Sequence, residues 1–340
     1  MLPERAVHPR FVGDRRIETI EKPVPRPGPG QLLLRCRANA LCASECGAFL
    51  HGCEVTPGHE AAGEVVAAGP ETSTSVGTPG VVFLMDFCGE CRSCRLGLTN
   101  QCLHKRADYG FSHDGGYGPY ELVNENVFFP AEGDMDFAER TLLLDVMGTG
   151  GHAIRRACTV HPDPGSLLVT GAGPIGLGVL AMAKLVLGSD FPVAIADTIS
   201  FRLDLAAKMG GLPVNVAEAS LGDGLKSHGL ADVDLAIDCT GAGAAVRGVI
   251  DLLAKRGVLA CVGHGAEVSL RISPDLIGPE RTVLGSEYFR YDEMPANLEL
   301  LKENLGYVGQ IITHRFPVAQ IEEAFETFLG RNTGKVVVVQ

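Results

Sequence analysis

The feature that most constrains this chain is Thr170-Gly171-Ala172-Gly173-Pro174-Ile175-Gly176, midway along the sequence. Just before it, Ser166-Leu167-Leu168-Val169 is a short apolar run of the kind that forms a buried parallel strand. Just after it, Leu177 to Leu187 is rich in Leu, Ala, Val and Met, with no breaker until Gly188, and reads as a helix. The glycines therefore sit where a strand turns into a helix. At such a junction Gly171 permits the tight turn, Gly173 lets the backbone approach a pyrophosphate, and Gly176 lets the helix pack on the sheet. The helix N-terminus, where Pro174 leads into Ile175 and Gly176, offers the N–H groups that follow the proline and a positive dipole end to phosphates. A Gly-rich turn alone is common. Here Asp197 closes the next apolar run, Val193-Ala194-Ile195-Ala196, where an acid is needed for ribose hydroxyls. With that acid in place, the stretch is a dinucleotide site.

The regions on either side differ from it. Residues 1 to 145 are turn-rich, with Pro23-Val24-Pro25-Arg26-Pro27-Gly28-Pro29-Gly30 leading into the strand Gln31 to Cys36. Ala61 to Gly69 and Gly80 to Leu84 are further short strands with frequent glycine, the pattern of an irregular barrel. Helix–strand alternation begins near Asp145 and runs to about Gly285. Strands fall at Asp234 to Asp238 and Gly257 to Val262, with a helix over Ala244 to Ala254 between them. That is the doubly wound α/β pattern. After Ser286 come helices over Ala296 to Asn304 and Val318 to Leu329, then a last strand, Lys335 to Val339.

Composition excludes several classes. With 340 residues the chain can hold two substantial cores, and a net charge of −12 without a basic cluster argues against nucleic acid or an anionic membrane surface as partner. No apolar run approaches the roughly 20 residues of a membrane span, and the N-terminus shows no apolar signal region. The expected location is cytoplasmic. There the 11 cysteines point to metal or reduced thiols, not disulfides.

Two metal signals emerge. Cys88, Cys91, Cys94 and Cys102 are spaced C-x2-C-x2-C-x7-C in one loop. Four thiolates close the tetrahedral shell of Zn²⁺, so this lobe would hold its metal structurally. An iron–sulfur cluster is the alternative for such a set. The second signal is dispersed: Cys42, His59 in Gly58-His59-Glu60, and Asp145 before Gly148-Thr149-Gly150-Gly151. A thiolate, an imidazole and a carboxylate would leave one zinc position open for substrate. Taken singly, each has a plain reading as buried thiol, core histidine and helix-capping aspartate.

Gly58-His59-Glu60, the four-cysteine lobe, Asp114 to Tyr120, the Gly171–Gly176 turn, Asp238-Cys239-Thr240-Gly241 and Ile312 to Pro317 occur here in one order. In that order they resemble the zinc-containing medium-chain dehydrogenase/reductase family of alcohol, polyol and threonine dehydrogenases. The resemblance covers nearly the whole chain. It implies a GroES-like β-barrel catalytic domain over 1–145, completed by 288–340, with a Rossmann domain over 146–287 inserted between them. By it Cys42, His59 and Asp145 are the catalytic zinc ligands, and Glu60 is an acid able to swing onto the metal. Ser44 is the hydroxyl that carries the substrate proton outward. Some members continue this relay with a histidine five residues after the ligand cysteine; here that position is Gly47, with His51 nearby. On the cofactor side, Asp197 favours NAD over a 2′-phosphorylated cofactor. Arg202 matches an arginine near the adenosine, Lys335 a basic residue at the pyrophosphate, and Thr240, Val262 and Gly263 are further cofactor-binding positions.

The expected protein is therefore an NAD-dependent zinc alcohol dehydrogenase with two zinc ions per chain. It would oxidise a secondary alcohol or polyol by hydride transfer to nicotinamide, as a homodimer or homotetramer, with a small molecule as its partner. Two rivals stand beside it. One is a quinone- or enoyl-reductase type without catalytic zinc, which the Cys42/His59/Asp145 set argues against. The other is a non-catalytic NAD(H)-binding redox sensor that releases zinc from the four-cysteine lobe.

Overall fold

A computed structural model describes residues 2–265 and 267–340. It divides into two compact units, Met1–Leu144 with Arg290–Gln340, and Asp145–Phe289.

The first unit is built on a seven-stranded mixed sheet. Its order is Ile312–Pro317, Lys335–Val339, Gln31–Ala40, Ala61–Ala68, Pro79–Val82 and Phe128–Pro130, with Tyr120–Asn124 paired to Gln31–Ala40. The C-terminal strand Lys-Val-Val-Val-Val is β-branched almost throughout, suits a pleated buried surface, and runs antiparallel to the central strand in the register Val337↔Ala40. The tail thus completes the N-terminal sheet, and the core beneath it mixes both ends of the chain. Phe11, Phe49, Tyr117 and Phe325, the last from the helix Ile321–Leu329, form its aromatic centre. A hairpin of Arg5–Gly13 and Arg16–Pro23, turned through Asp14 and Arg15 at φ 51° and 59°, was not foreseen from the sequence. Its two left-handed central residues are what a tight hairpin turn demands.

The second unit is a six-stranded, wholly parallel sheet. Its order is Leu212–Asn215, Val193–Asp197, Leu167–Thr170, Val233–Asp238, Leu253–Cys261 and Thr282–Gly285. In chain order this is 3-2-1-4-5-6, the doubly wound arrangement whose direction of winding reverses beside the first strand. The buried faces of the central strands are continuous runs of Leu, Val, Ile and Ala. The helix expected over Ala244 to Ala254 is observed at Gly243–Leu252, because Leu253 already pairs with Val233 across the sheet. The first tail helix is longer than expected, Met294–Val308, and the second begins with a single 3-10 turn, Val318–Gln320. Among the described residues no helix is long and apolar enough to cross a membrane.

Candidate active site

The four lobe cysteines lie with their sulfurs within 4.8 Å of one another. Four of the separations are 3.5 Å (Cys91–Cys94), 3.6 Å (Cys88–Cys102), 3.9 Å (Cys88–Cys94) and 4.0 Å (Cys91–Cys102). Thiolates about 2.3 Å from a central ion define a tetrahedron with edges of about 3.8 Å, so the set fits zinc. The backbone turns its amides toward the sulfurs. Cys91 N–H donates to Cys88 Sγ at 3.3 Å and Cys88 N–H to Cys102 Sγ at 3.3 Å. Cys94 and Leu103 N–H both donate to Cys91 Sγ. These two amides draw the Cys91 thiol down to about 6, whereas desolvation and its contact with Cys91 push Cys94 up to about 12. A loop that aims N–H groups at sulfur is one prepared for thiolates.

The second group is assembled from distant positions. In the first unit, the Cys42 sulfur, a His59 ring nitrogen and a Glu60 carboxylate oxygen lie within 4.8 Å of one another. Asp145, expected as the third ligand, is the first residue of the second unit. His59, Glu60 and Asp145 are buried and Cys42 is half-buried. Thiolate, imidazole and carboxylate are the donors that zinc takes in open sites, so this set fits as well. Cys42 precedes the 3-10 turn Ala43–Glu45, which carries Ser44 into solvent and turns Glu45 inward. Ser44 lines a small pocket with Cys53, Val55, Pro57 and Phe111, and the Phe111 ring lies 5.0 Å from that of His59. At Gly47 a side chain would meet nothing within 4 Å, and His51 is exposed at the end of the short helix Cys46–His51. Asp145 opens a wide helical turn, Asp145–Thr149, where its carboxylate accepts from Thr149 Oγ1 at 3.4 Å.

Sequence reasoning missed the residue that holds this group in place. Glu45 is buried, and its Oε1 meets His59 Nδ1 at 2.8 Å and the His59 amide at 3.0 Å. A carboxylate on Nδ1 fixes the imidazole so that it presents Nε2 to a metal. Burial by itself would raise the Glu45 carboxyl, but His59 and the Tyr117 hydroxyl outweigh it and hold the group below its usual range. The only signal in the sequence was an acid three residues after Cys42, one helical turn on. Lys335 is the basic residue expected at the pyrophosphate. It is wholly buried and its ammonium meets the Glu60 carboxylate. The physical reason is that a carboxylate as deeply buried as Glu60 requires a counter-charge.

In the second unit the glycine turn leaves the carboxyl end of the first strand. Gly171 has φ +88°, and a Cβ on Gly176 would lie 1.8 Å from the Gly171 carbonyl oxygen, so neither position accepts a side chain. Gly173 is different. A Cβ there would meet nothing nearer than the Arg202 guanidinium at 3.6 Å, so this side of the turn is open. Pro174 takes the first position of the helix Pro174–Val186, which has no side-chain cap at Gly173. Its leading amides are therefore available to an anion. Asp197 ends the second strand, and its Oδ2 accepts from Ala172 N–H at 2.7 Å, tying the acid to the turn. Thr240 sets its methyl against Gly171. The wholly buried Asp238 carboxylate accepts from Thr170 Oγ1 and Thr240 Oγ1, both at 2.6 Å, while its carbonyl accepts from Val262 and Gly263 N–H. Asp238 thus gathers Thr240, Val262 and Gly263 at one sheet end, an organising role that sequence reasoning did not give it.

Comparison with known proteins bears on the family and the fold. Residues 28–133 match the alcohol dehydrogenase GroES-like domain, and residues 174–303 match the zinc-binding dehydrogenase family. An L-threonine 3-dehydrogenase of Saccharopolyspora erythraea is 31% identical over 337 residues, covering 95% of each chain. A zinc-type alcohol dehydrogenase-like protein of Escherichia coli K12 is 27% identical, covering 96% of each. Among solved structures, an E. coli CFT073 alcohol dehydrogenase complexed with NADH superposes with TM-score 0.89 at 21% identity, over 99% of this chain and 100% of that one. L-idonate 5-dehydrogenase from E. coli K-12 superposes with TM-score 0.85 at 22% identity, over 99% and 98%. At those identities the structures establish the fold alone. With both domain families matched in order and a relative of 31% identity along nearly its whole length, the chain belongs to the zinc-containing medium-chain dehydrogenase/reductase family.

Proposed function

We propose that this protein is an NAD-dependent dehydrogenase that oxidises a small secondary alcohol or polyol to the ketone, using a zinc ion held by Cys42, His59 and Asp145. The observation that carries the reading is the buried mixed donor group, with His59 oriented by Glu45. A zinc ion bound there would supply Lewis acidity, lowering the pKa of a hydroxyl presented to it. The rest falls to the chain's own side chains. Ser44, exposed on the turn that follows Cys42, takes the hydroxyl proton toward water. Phe111 and Val55 give the pocket an apolar wall beside His59. Glu60, paired with Lys335, keeps a carboxylate next to the ligand group. Asp197, anchored by Ala172 N–H, offers its oxygens to ribose hydroxyls and repels a 2′-phosphate. A second zinc closed within Cys88, Cys91, Cys94 and Cys102 has a structural role. The names of the relatives support a secondary hydroxyl, since they include a threonine 3-dehydrogenase and an idonate 5-dehydrogenase.

The test is metal analysis of the purified protein, followed by a screen of L-threonine, polyols, sugar acids and vicinal diols for NADH production. Two zinc ions per chain and turnover of at least one secondary alcohol are expected. One zinc per chain with no turnover would end this reading in favour of a zinc-free reductase. In the same assay Asp197→Ser should lower the preference for NAD over NADP by roughly ten- to a hundredfold, as loss of charged hydrogen bonds implies. A native preference for NADP would refute the role given to Asp197.

A further inference from the structure

Behind the mixed donor group lies a buried residue that the zinc reading does not itself require. Tyr117 is 0% exposed, and its hydroxyl donates to Glu45 Oε2 at 2.7 Å. The other oxygen of the same carboxylate holds His59 Nδ1 at 2.8 Å and the His59 amide at 3.0 Å. Glu45 Oε2 also receives the Cys42 amide at 3.4 Å. One carboxylate thus ties together the backbone of one donor residue, the ring of another, and a phenol from a third segment.

That phenol is held rigidly. Its ring stacks on Phe11 at 6.0 Å and meets Phe325 edge-on at 5.8 Å, and Phe325 stacks in turn on Phe49 at 5.0 Å. The backbone is stitched to the histidine segment too, with Tyr117 N–H donating to Pro57 O and Gly116 N–H to Gly58 O. A buried hydroxyl without an acceptor is costly, so Tyr117 fixes where Glu45 can lie. A carboxylate gripped at only one oxygen could rotate about its last torsion, which is broad for glutamate. Gripped at both, it cannot.

We infer that Tyr117 is a positioning residue for the metal centre, acting through Glu45 to fix the His59 ring. The inference rests on the zinc reading proposed above. Outer partners of metal ligands typically contribute 10–100-fold to affinity, and a phenol one bond further out should contribute the lower part of that range.

The experiment compares wild type, Tyr117→Phe, Glu45→Gln and the double variant. It reads zinc affinity at the exchangeable site by chelator competition, and the visible spectrum of the cobalt-substituted protein. Tyr117→Phe should weaken zinc about tenfold and alter the cobalt bands. In the Glu45→Gln background it should add nothing, because its route to His59 has already been cut. Tyr109→Phe is the control for loss of a buried phenol elsewhere: Tyr109 is buried, with its hydroxyl accepting the Asn124 amide. That variant should lose thermal stability without losing zinc. Unchanged affinity and spectrum in Tyr117→Phe would overturn the inference, as would a full tenfold loss added on top of Glu45→Gln. Wild-type protein without an exchangeable zinc would overturn the functional reading and this inference together, and the wild-type measurement alone reveals that case.

Discussion

The two groups of candidate metal ligands in this chain are built in opposite ways. The four-cysteine lobe draws every donor from fifteen consecutive residues, Cys88 to Cys102; Cys91 is buried, the other three are half-buried, and nearby backbone amides donate to the sulfurs. The other group takes Cys42, His59 and Glu60 from separate segments of the first unit, buries most of them, and relies on side chains for support. A local loop can prepare four like charges only for a metal that neutralises all of them. A dispersed group can mix charges, leave a coordination position open, and be tuned by what packs behind it. On the proposed reading the first is a clasp and the second a reaction site, and the difference lies in where the supporting hydrogen bonds originate.

Three experiments test that contrast, beginning with the largest effect. Cys42→Ser should reduce kcat by ~10³-fold or more, about 4 kcal/mol of barrier, while NADH binding followed by fluorescence stays near wild type. On the proposed reading the cofactor is held by the Gly171–Gly176 turn and Asp197, which the substitution does not touch. Turnover intact in Cys42→Ser but abolished in folded Cys91→Ser would mean that the two roles are exchanged.

Cys91→Ser should release the lobe metal and leave turnover per folded molecule largely intact. The expected signature is a melting temperature lower by several degrees, since each 1 kcal/mol shifts a protein of this size by roughly 2–4 °C. Retention of two zinc ions by this variant would show that the lobe is not a metal site.

The smallest effect isolates burial from partnership. Glu45 and Glu121 are equally buried, yet their carboxyls move in opposite directions. Glu45, with His59 and Tyr117 beside it, is held below the usual range. Glu121 meets the Cys36 thiol at 4.0 Å with one oxygen, its other oxygen has no partner among the described residues, and burial, with the Asp114 charge adding, pushes it well above that range. A carboxyl raised in the folded state keeps its proton where the unfolded chain has released it. Stability is then lost as pH rises from about 4.3, the ordinary glutamate value, toward the folded value. Glu121→Gln should therefore stabilise the protein at pH 7 by roughly 1 kcal/mol or more, with the gain vanishing near pH 4 in chemical denaturation. A constant difference across that range would mean that Glu121 is ionised in the fold.

Some of this was legible in residue order, and the physical reason is locality. The strand–glycine–helix turn, Asp197 closing the next strand, and the four lobe cysteines all act within one or two elements, so their chemistry shows in their spacing. The doubly wound sheet could be read for the same reason, because apolar runs alternating with helical stretches admit few arrangements. Even there the edge strands Leu212–Asn215 and Thr282–Gly285 escaped notice, being short and less completely buried. What the tertiary structure alone decided is every pairing between charges far apart in the chain. Glu45 received His59 and Tyr117, and Glu60 received Lys335 from 275 residues away. No sequence pattern marks such partners, because a buried carboxylate needs a donor or cation in space and is indifferent to where along the chain it comes from.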